Sequence, residues 1–172
     1  MQRNDREALG WVAGFLEGEG SVGLYVRNRA WNDVYGMVTV YNTDLNMLAH
    51  AQRILIEHGV PATSVRLGEA KMSKRGDGYK RRRAYRIVLS DKYAVALALR
   101  LLVPHMRGAK RTIATAVLSF TQRQSSVIRY RMTENDRRLR ELVHAAQGNF
   151  GEALSALAQF LATLEGGLGD AL

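Results

Sequence analysis

The sequence predicts an α+β domain carrying extra C-terminal helices. Three observations predict it. Helical and strand-like stretches follow one another in the order αββαββα through the first half of the chain. Two of the strand-like runs lie close enough to form an antiparallel hairpin. Over roughly residues 133–165 the pattern is that of two further helices.

Each element has its own local reason. Residues 5–17 have a helical pattern, with Asn4 as cap, Glu7 three positions on, and Ala8, Val12, Phe15 and Leu16 on one side. Gly18 and Gly20 are expected to end this helix. From Ser21 to Arg29, Val22, Leu24 and Val26 alternate with Tyr25, Arg27 and Arg29. After a turn around "AWND", "VYGMVTVYN" alternates again, with Val34, Gly36, Val38 and Val40 against Tyr35, Met37, Thr39 and Tyr41. "NTDLNMLAHAQRILIEHGV" opens on capping residues and closes on Gly59, as a helix does. "TSVRLGE" and "RRRAYRIVLS" form a second strand pair around the polar loop "AKMSKRGDG". A helix over "DKYAVALALRLLV" is broken by Pro104, and "GAKRTIATAVLSFTQRQ" begins the next. Two amphipathic helices, separated by "GNFG", follow, and "GGLGDAL" is expected to fray. The expected division is a core over 1–130 and a helical extension over 131–172, packed on the same domain.

Composition narrows the function. A length of 172 residues, 47% of them hydrophobic, suits one domain with a proper core. The absence of cysteine excludes thiolate zinc sites, disulfide scaffolds and cysteine nucleophiles. The opening "MQRNDREALG" is polar, and no apolar run approaches the roughly 18 residues that span a bilayer. The expectation is therefore an intracellular protein, cytoplasmic or in a chloroplast or mitochondrion, neither secreted nor membrane-bound. The net charge is +9, and the segment from Arg66 to Arg86 supplies most of it, with nine basic residues against Glu69 and Asp77. A basic strand pair of this kind suits a nucleic-acid surface better than a merely solvated one.

The chemistry centres on "LEGEG" at 16–20. A helix C-terminus carries partial negative charge, so each carboxylate there costs about 0.3–1 kcal/mol. Glu17 and Glu19 are thus locally misplaced, and such misplacement tends to mark a functional site. A hard divalent cation reverses the sign, since magnesium takes carboxylate and carbonyl oxygens. The small pair Ala13–Gly14 in the same helix points to close contact with another backbone, because an interior glycine costs about 1 kcal/mol against alanine. His50, His58, His105 and His144 are too dispersed to suggest a nucleophile triad.

With these residues in hand, "VAGFLEGEG" at 12–20, followed by Ser21, resembles the motif of the LAGLIDADG homing endonucleases. The αββαββα order, "YNTD" closing the second strand, and the proline-bounded helix followed by "RGAKR" resemble that family too, over roughly residues 5–120. No second copy of the motif occurs. The resemblance implies the homing-endonuclease fold, with a curved antiparallel β-sheet saddle lying on double-stranded DNA. It implies a homodimer paired through motif helices, with Trp11, Ala13, Gly14 and Glu17 at the interface. It also implies a nearly palindromic site and an endodeoxyribonuclease activity that leaves 3′ overhangs.

The family's catalytic metal-binding acid matches Glu19, and the residue whose carbonyl reaches metal matches Gly18. Roughly two or three Mg2+ ions per dimer would be held there, water being the nucleophile. The family more often has aspartate at both acidic positions, and here both are glutamate. Glu17 is read mainly as a structural hydrogen-bonding group. Asn42 matches a side chain that orders the attacking water, although it could equally cap the next helix. Lys110 matches a basic residue that stabilises developing charge, with Arg107 and Arg111 as competitors.

DNA contacts are expected from Tyr25, Arg27, Arg29, Tyr35, Met37 and Thr39 on the first hairpin. The second strand pair and its loop offer Ser64, Arg66, Lys71, Lys74, Arg75, Lys80, Arg82 and Arg86. Strands of about nine residues reach roughly 30 Å, enough for about nine base pairs per subunit. The alternative readings are an intron maturase that binds RNA, or a regulator of the same fold that binds DNA without cutting it.

Overall fold

The alternation of periods seen in the sequence becomes one four-stranded sheet with helices packed against it. The computed structural model describes residues 3–28, 33–70, 83–125, 132–148 and 151–166. Helix α1 (Arg3–Glu19) runs directly into β1 (Gly20–Asn28), which pairs with β2 (Asp33–Asn42). Helix α2 (Leu45–Glu57) leads through a short 3-10 turn to β3 (Arg66–Glu69) and then β4 (Tyr85–Leu89). Four helices follow: α3 (Lys92–Leu102), α4 (Gly108–Ser125), α5 (Glu134–Gly148) and α6 (Glu152–Gly166). The sheet order is β1-β2-β4-β3, every neighbouring pair antiparallel.

Two-residue alternation divides the sheet into a covered face and an open one. Val22, Leu24, Val34, Val38, Val40, Ile87 and Leu89 are buried with Leu9, Leu16, Leu48, Leu55, Leu99 and Phe120 in one core. The extension belongs to this core, because Leu139, Val143 and Ala146 of α5 and Leu157 and Leu161 of α6 join the same cluster. Asp136 ties α5 to α4. It is buried, accepts from Thr133 N (2.8 Å) and Oγ1 (2.6 Å), and pairs with Arg123 at 3.0 Å. No helix among the described residues is long and apolar enough to cross a membrane.

Caps set the helix boundaries. Asp44 accepts from Asn46 N and starts α2, and Asp91 accepts from Tyr93 N and Ala94 N to start α3. Gly59, at φ +92°, lets the end of α2 turn over while the backbone N–H groups of His58, Gly59 and Val60 satisfy the carbonyls of Ile54, Ile56 and Leu55.

Three local expectations need correction. The first helix does not end at Gly18; it continues through Glu19 and stops where Gly20 opens β1, and neither Gly18 nor Gly20 has a positive φ. Gly20 is required for closeness instead. A Cβ there would lie 2.3 Å from Leu16 Cδ1 and 2.6 Å from Leu16 O. Gly20→Ala is therefore expected to destabilise the fold by about 1–3 kcal/mol through overpacking, read as a lowered midpoint in thermal unfolding. Second, Val26 is 38% exposed rather than buried with Val22 and Leu24, since the β1–β2 register becomes irregular between Val26 and Asn28. Third, Ser64 does not stand on a strand. It closes the 3-10 turn before β3, its N–H bonded to Pro61 O.

Candidate metal and DNA-facing site

Where α1 becomes β1, the last helical carbonyls lack helical partners and two carboxylates stand close by. A side chain distant in sequence resolves the first problem. Lys110, in the first turn of α4, donates from Nζ to the carbonyls of Glu17 (2.5 Å), Gly20 (2.6 Å) and Leu16 (3.3 Å). A lysine ammonium has three N–H donors, and here three carbonyls engage it. Burial lowers the pKa of Lys110 from its ordinary 10.5, against the opposing attraction of Glu17 and Glu19. The cation thus serves as a C-terminal cap for α1 and as the counter-charge of both acids.

The two acids differ. Glu17 is half-buried, and its Oε1 accepts the backbone N–H of Arg107 at 2.5 Å, bracing the end of α1 against the segment between α3 and α4. Glu19, one residue before β1, is exposed, as is Gly18. The Gly18 carbonyl is not one of the three that Lys110 takes. Among the described residues no group of three or more His, Cys, Asp or Glu could hold a metal ion. One chain therefore offers an accessible hard carboxylate beside backbone carbonyls. These are oxygen donors of the kind magnesium takes in small number while keeping its waters.

The exposed face of α1 is built from glycines. Gly10, Gly14 and Gly18 recur every fourth residue, and a Cβ on any of them would meet nothing within 4 Å. Beside them runs a groove of about 480 Å³, lined in part by Arg6, Gly10, Gly14, Glu17, His105 and Arg107. Trp11 is 37% exposed, stacked on Phe15 and tilted against His50. Ala13 does not share this face and is corrected as an interface residue: it is 0% exposed, inside the chain's own core. A step of one residue turns the helix by about 100°, so the neighbours Ala13 and Gly14 look different ways. Gly10, which sequence reasoning missed, is the true companion of Gly14.

Asn42 closes β2 opposite Tyr85. Its Oδ1 accepts Asp44 N at 2.8 Å, forming the turn that delivers the Asp44 cap. The helix cap itself belongs to Asp44.

The open face of the sheet collects most of the other candidates. The register places Ser21, Gly23 and Tyr25 of β1 beside Thr39, Met37 and Tyr35 of β2. It continues through Val88 and Arg86 of β4 to Arg66 and Gly68 of β3. Tyr25 and Tyr35 pair with ring centroids 6.2 Å apart, and Arg66 donates to Ser90 Oγ at 2.6 Å. Thr39 requires correction as a DNA contact. It lies on this face but is only 3% exposed, and its Oγ1 has no hydrogen-bond partner among the described residues. A short side chain at the centre of the sheet recedes between Ser21, Val88, Met37 and Tyr41. Tyr41, opposite Arg86 and 42% exposed, is better placed to reach outward. Ser64, off the sheet, does not join this set. Arg29, Lys71, Lys74, Arg75, Lys80 and Arg82 lie outside the described residues, and so does the side chain of Arg27.

No protein-family profile matches the chain, and no curated protein matches its sequence. Solved structures do match. The homing endonuclease I-CvuI, in complex with the I-CreI target, aligns with a TM-score of 0.60 at 18% identity, over 95% of this chain and 98% of that one. The homing endonuclease I-TnaI aligns with a TM-score of 0.54 at 14% identity, over 90% and 96%. The LAGLIDADG homing endonuclease I-SmaMI, bound to cleaved DNA, aligns with a TM-score of 0.57 at 14% identity, over 88% of this chain and 48% of that one. At these identities the likeness is one of architecture, and the architecture of this chain is the fold of the LAGLIDADG homing endonucleases.

Proposed function

We propose that this chain is a site-specific, magnesium-dependent DNA endonuclease of the homing type, acting as a homodimer on a long, nearly palindromic site. The observation that carries the reading is the exposed Glu19 carboxylate, set at the junction of a glycine-faced helix and the open face of a four-stranded sheet. Two such helices packed through Gly10 and Gly14 would bring both Glu19 side chains to one place, between two sheets that read the two half-sites. Coverage supports this: the chain spans nearly all of I-CvuI but about half of I-SmaMI, so it holds one unit where the longer chain has room for two.

In this reading Glu19 of each copy, with the Gly18 carbonyl, holds magnesium. When bound, the metal supplies an activated water and neutralises charge on the leaving 3′ oxygen. The protein's own residues arrange that chemistry. Lys110 fixes the end of α1 and offsets the repulsion of four converging acids. Asn42, with its Oδ1 engaged, has its amide N–H groups to orient a water. Tyr25, Tyr35, Met37, Tyr41, Arg66 and Arg86 face the duplex, where arginine can pair with guanine edges or grip phosphate.

The test is selection of cleaved molecules from a randomised DNA library in magnesium, repeated in chelator, with sedimentation of the protein–DNA complex. Expected are double-strand breaks only with magnesium, at a site with two-fold symmetry, and two chains per DNA. Equal cutting in chelator, or one chain per site, would overturn the proposal.

A further inference from the structure

Resting on the nuclease reading above, we propose that Gln147 of α5 is a positioning residue for the metal-binding junction: its side-chain amide holds the first residues of β1, directly after Glu19, from the uncovered edge of that strand. Strand β1 stands at the edge of the sheet, with β2 on one side only. Carbonyls two residues apart along a strand point to the same side, and those of Gly20 and Val22 are both claimed by side chains from elsewhere. Lys110 of α4 takes the first at 2.6 Å, and Gln147 Nε2 takes the second at 2.7 Å. The two side chains also line one cavity of about 190 Å³ with Gly20, Ser21, Val22 and Ile113. Where another strand would normally pair, two helices therefore supply one donor each.

Gly23 shows that this amide has a reserved place. A Cβ built on Gly23 would lie 2.4 Å from Gln147 Nε2, 3.1 Å from Tyr25 Cε2 and 3.2 Å from Gln147 Cδ. Any larger residue at 23 must displace the amide, the nearest of these atoms, and also presses on the Tyr25 ring. The C-terminal extension thus reaches, across 125 positions of sequence, to a backbone carbonyl three residues from Glu19. The role is one of positioning, since the hydrogen bond that Gln147 donates goes to backbone, the Val22 carbonyl, and not to the acid. It sets where the strand begins, and hence where the carboxylate ending the helix is held.

Two variants separate this role from simple packing. Gln147→Met keeps the length and removes the donor; Gly23→Ala leaves Gln147 in the chain and evicts its amide. Hydrogen exchange of the amides in residues 20–24 is measured on the protein alone, and the magnesium dependence of cleavage on the complex with DNA. Each variant is expected to raise exchange in that segment about five-fold, the worth of one ordinary hydrogen bond. Each should also raise the magnesium concentration for half-maximal cleavage more than it lowers the saturated rate. The double variant should add little to either alone. Wild-type exchange and magnesium dependence in both variants would overturn the proposal, as would fully additive effects; if Gln147→Met fails to fold, Gly23→Ala decides. Should the wild-type protein cut no DNA, the nuclease reading fails, while the exchange measurement still decides the role of Gln147.

Discussion

Glu19→Gln is expected to lower the rate of DNA cleavage about a thousand-fold or more while leaving DNA binding within a few-fold. The substitution keeps the shape of the side chain and removes its charge. Glu19 is exposed at the end of α1 and supports little of the core, so the fold should survive unchanged. What disappears is the exposed carboxylate at the junction, and with it the electrostatic hold on a divalent cation that the proposed function assigns to it. Removing a single charge-stabilising group from such a centre typically costs about 10²–10³ in rate, and here the loss recurs in both copies. Binding should hold or tighten slightly, because a negative charge is withdrawn from a surface facing phosphates. Cleavage assays in magnesium beside binding assays in calcium check both halves. Retention of cleavage within ten-fold of wild type would remove Glu19 from its role.

Lys110→Met is expected to damage both stability and cleavage. Three carbonyls, those of Leu16, Glu17 and Gly20, lose a charged donor together. In a half-buried setting that loss costs about 2–4 kcal/mol, visible in denaturant unfolding. Cleavage should fall about 10²-fold even where the protein remains folded, since Glu17 and Glu19 lose the positive charge of Lys110. Lys110→Arg should not restore the wild type, because a planar guanidinium cannot direct three donors at three carbonyls grouped around one point. The pH dependence has a definite sign. Burial lowers the Lys110 pKa below 10.5, so between the folded value and 10.5 the unfolded chain binds a proton that the folded chain has released. Stability therefore rises with pH across that interval for wild type relative to Lys110→Met. An unchanged difference between the two proteins from neutral pH to 10.5 would contradict the assignment. The Lys110 donors engage backbone carbonyls, while Arg107 and Arg111, the other basic candidates of this segment, are exposed.

How much of this was legible in the sequence depends on the distance over which each feature is made. Caps and periodicity located the helices, because Asp44, Asp91 and the alternating valines of β1 and β2 act on near neighbours. The acidic junction was legible because Glu17 and Glu19 contradict the helix dipole locally. Depth was not. Alternation assigned Thr39 to the correct face but could not show that its neighbours bury it. The small residues of α1 were read as the adjacent pair Ala13–Gly14, whereas a helix exposes positions four apart, and Gly10 and Gly14 form the open stripe. The sequence marks Gly20 as a helix end, which it is, but does not show that its missing Cβ makes room for Leu16. Contacts such as Lys110 with Gly20, Arg123 with Asp136 and Gln147 with Val22 join segments that only the folded chain brings together.

Helix α1 ends at Glu19 and β1 begins at Gly20, with no residue between them. Such a seam has no slack. One extra amino acid there would either swing the acid about 100° around its helix or exchange inward and outward side chains along all of β1. Under the proposed nuclease reading, side chains on the open sheet face can be exchanged without touching this junction, whereas the spacing between the Glu19 carboxylate and the sheet is fixed to the single residue.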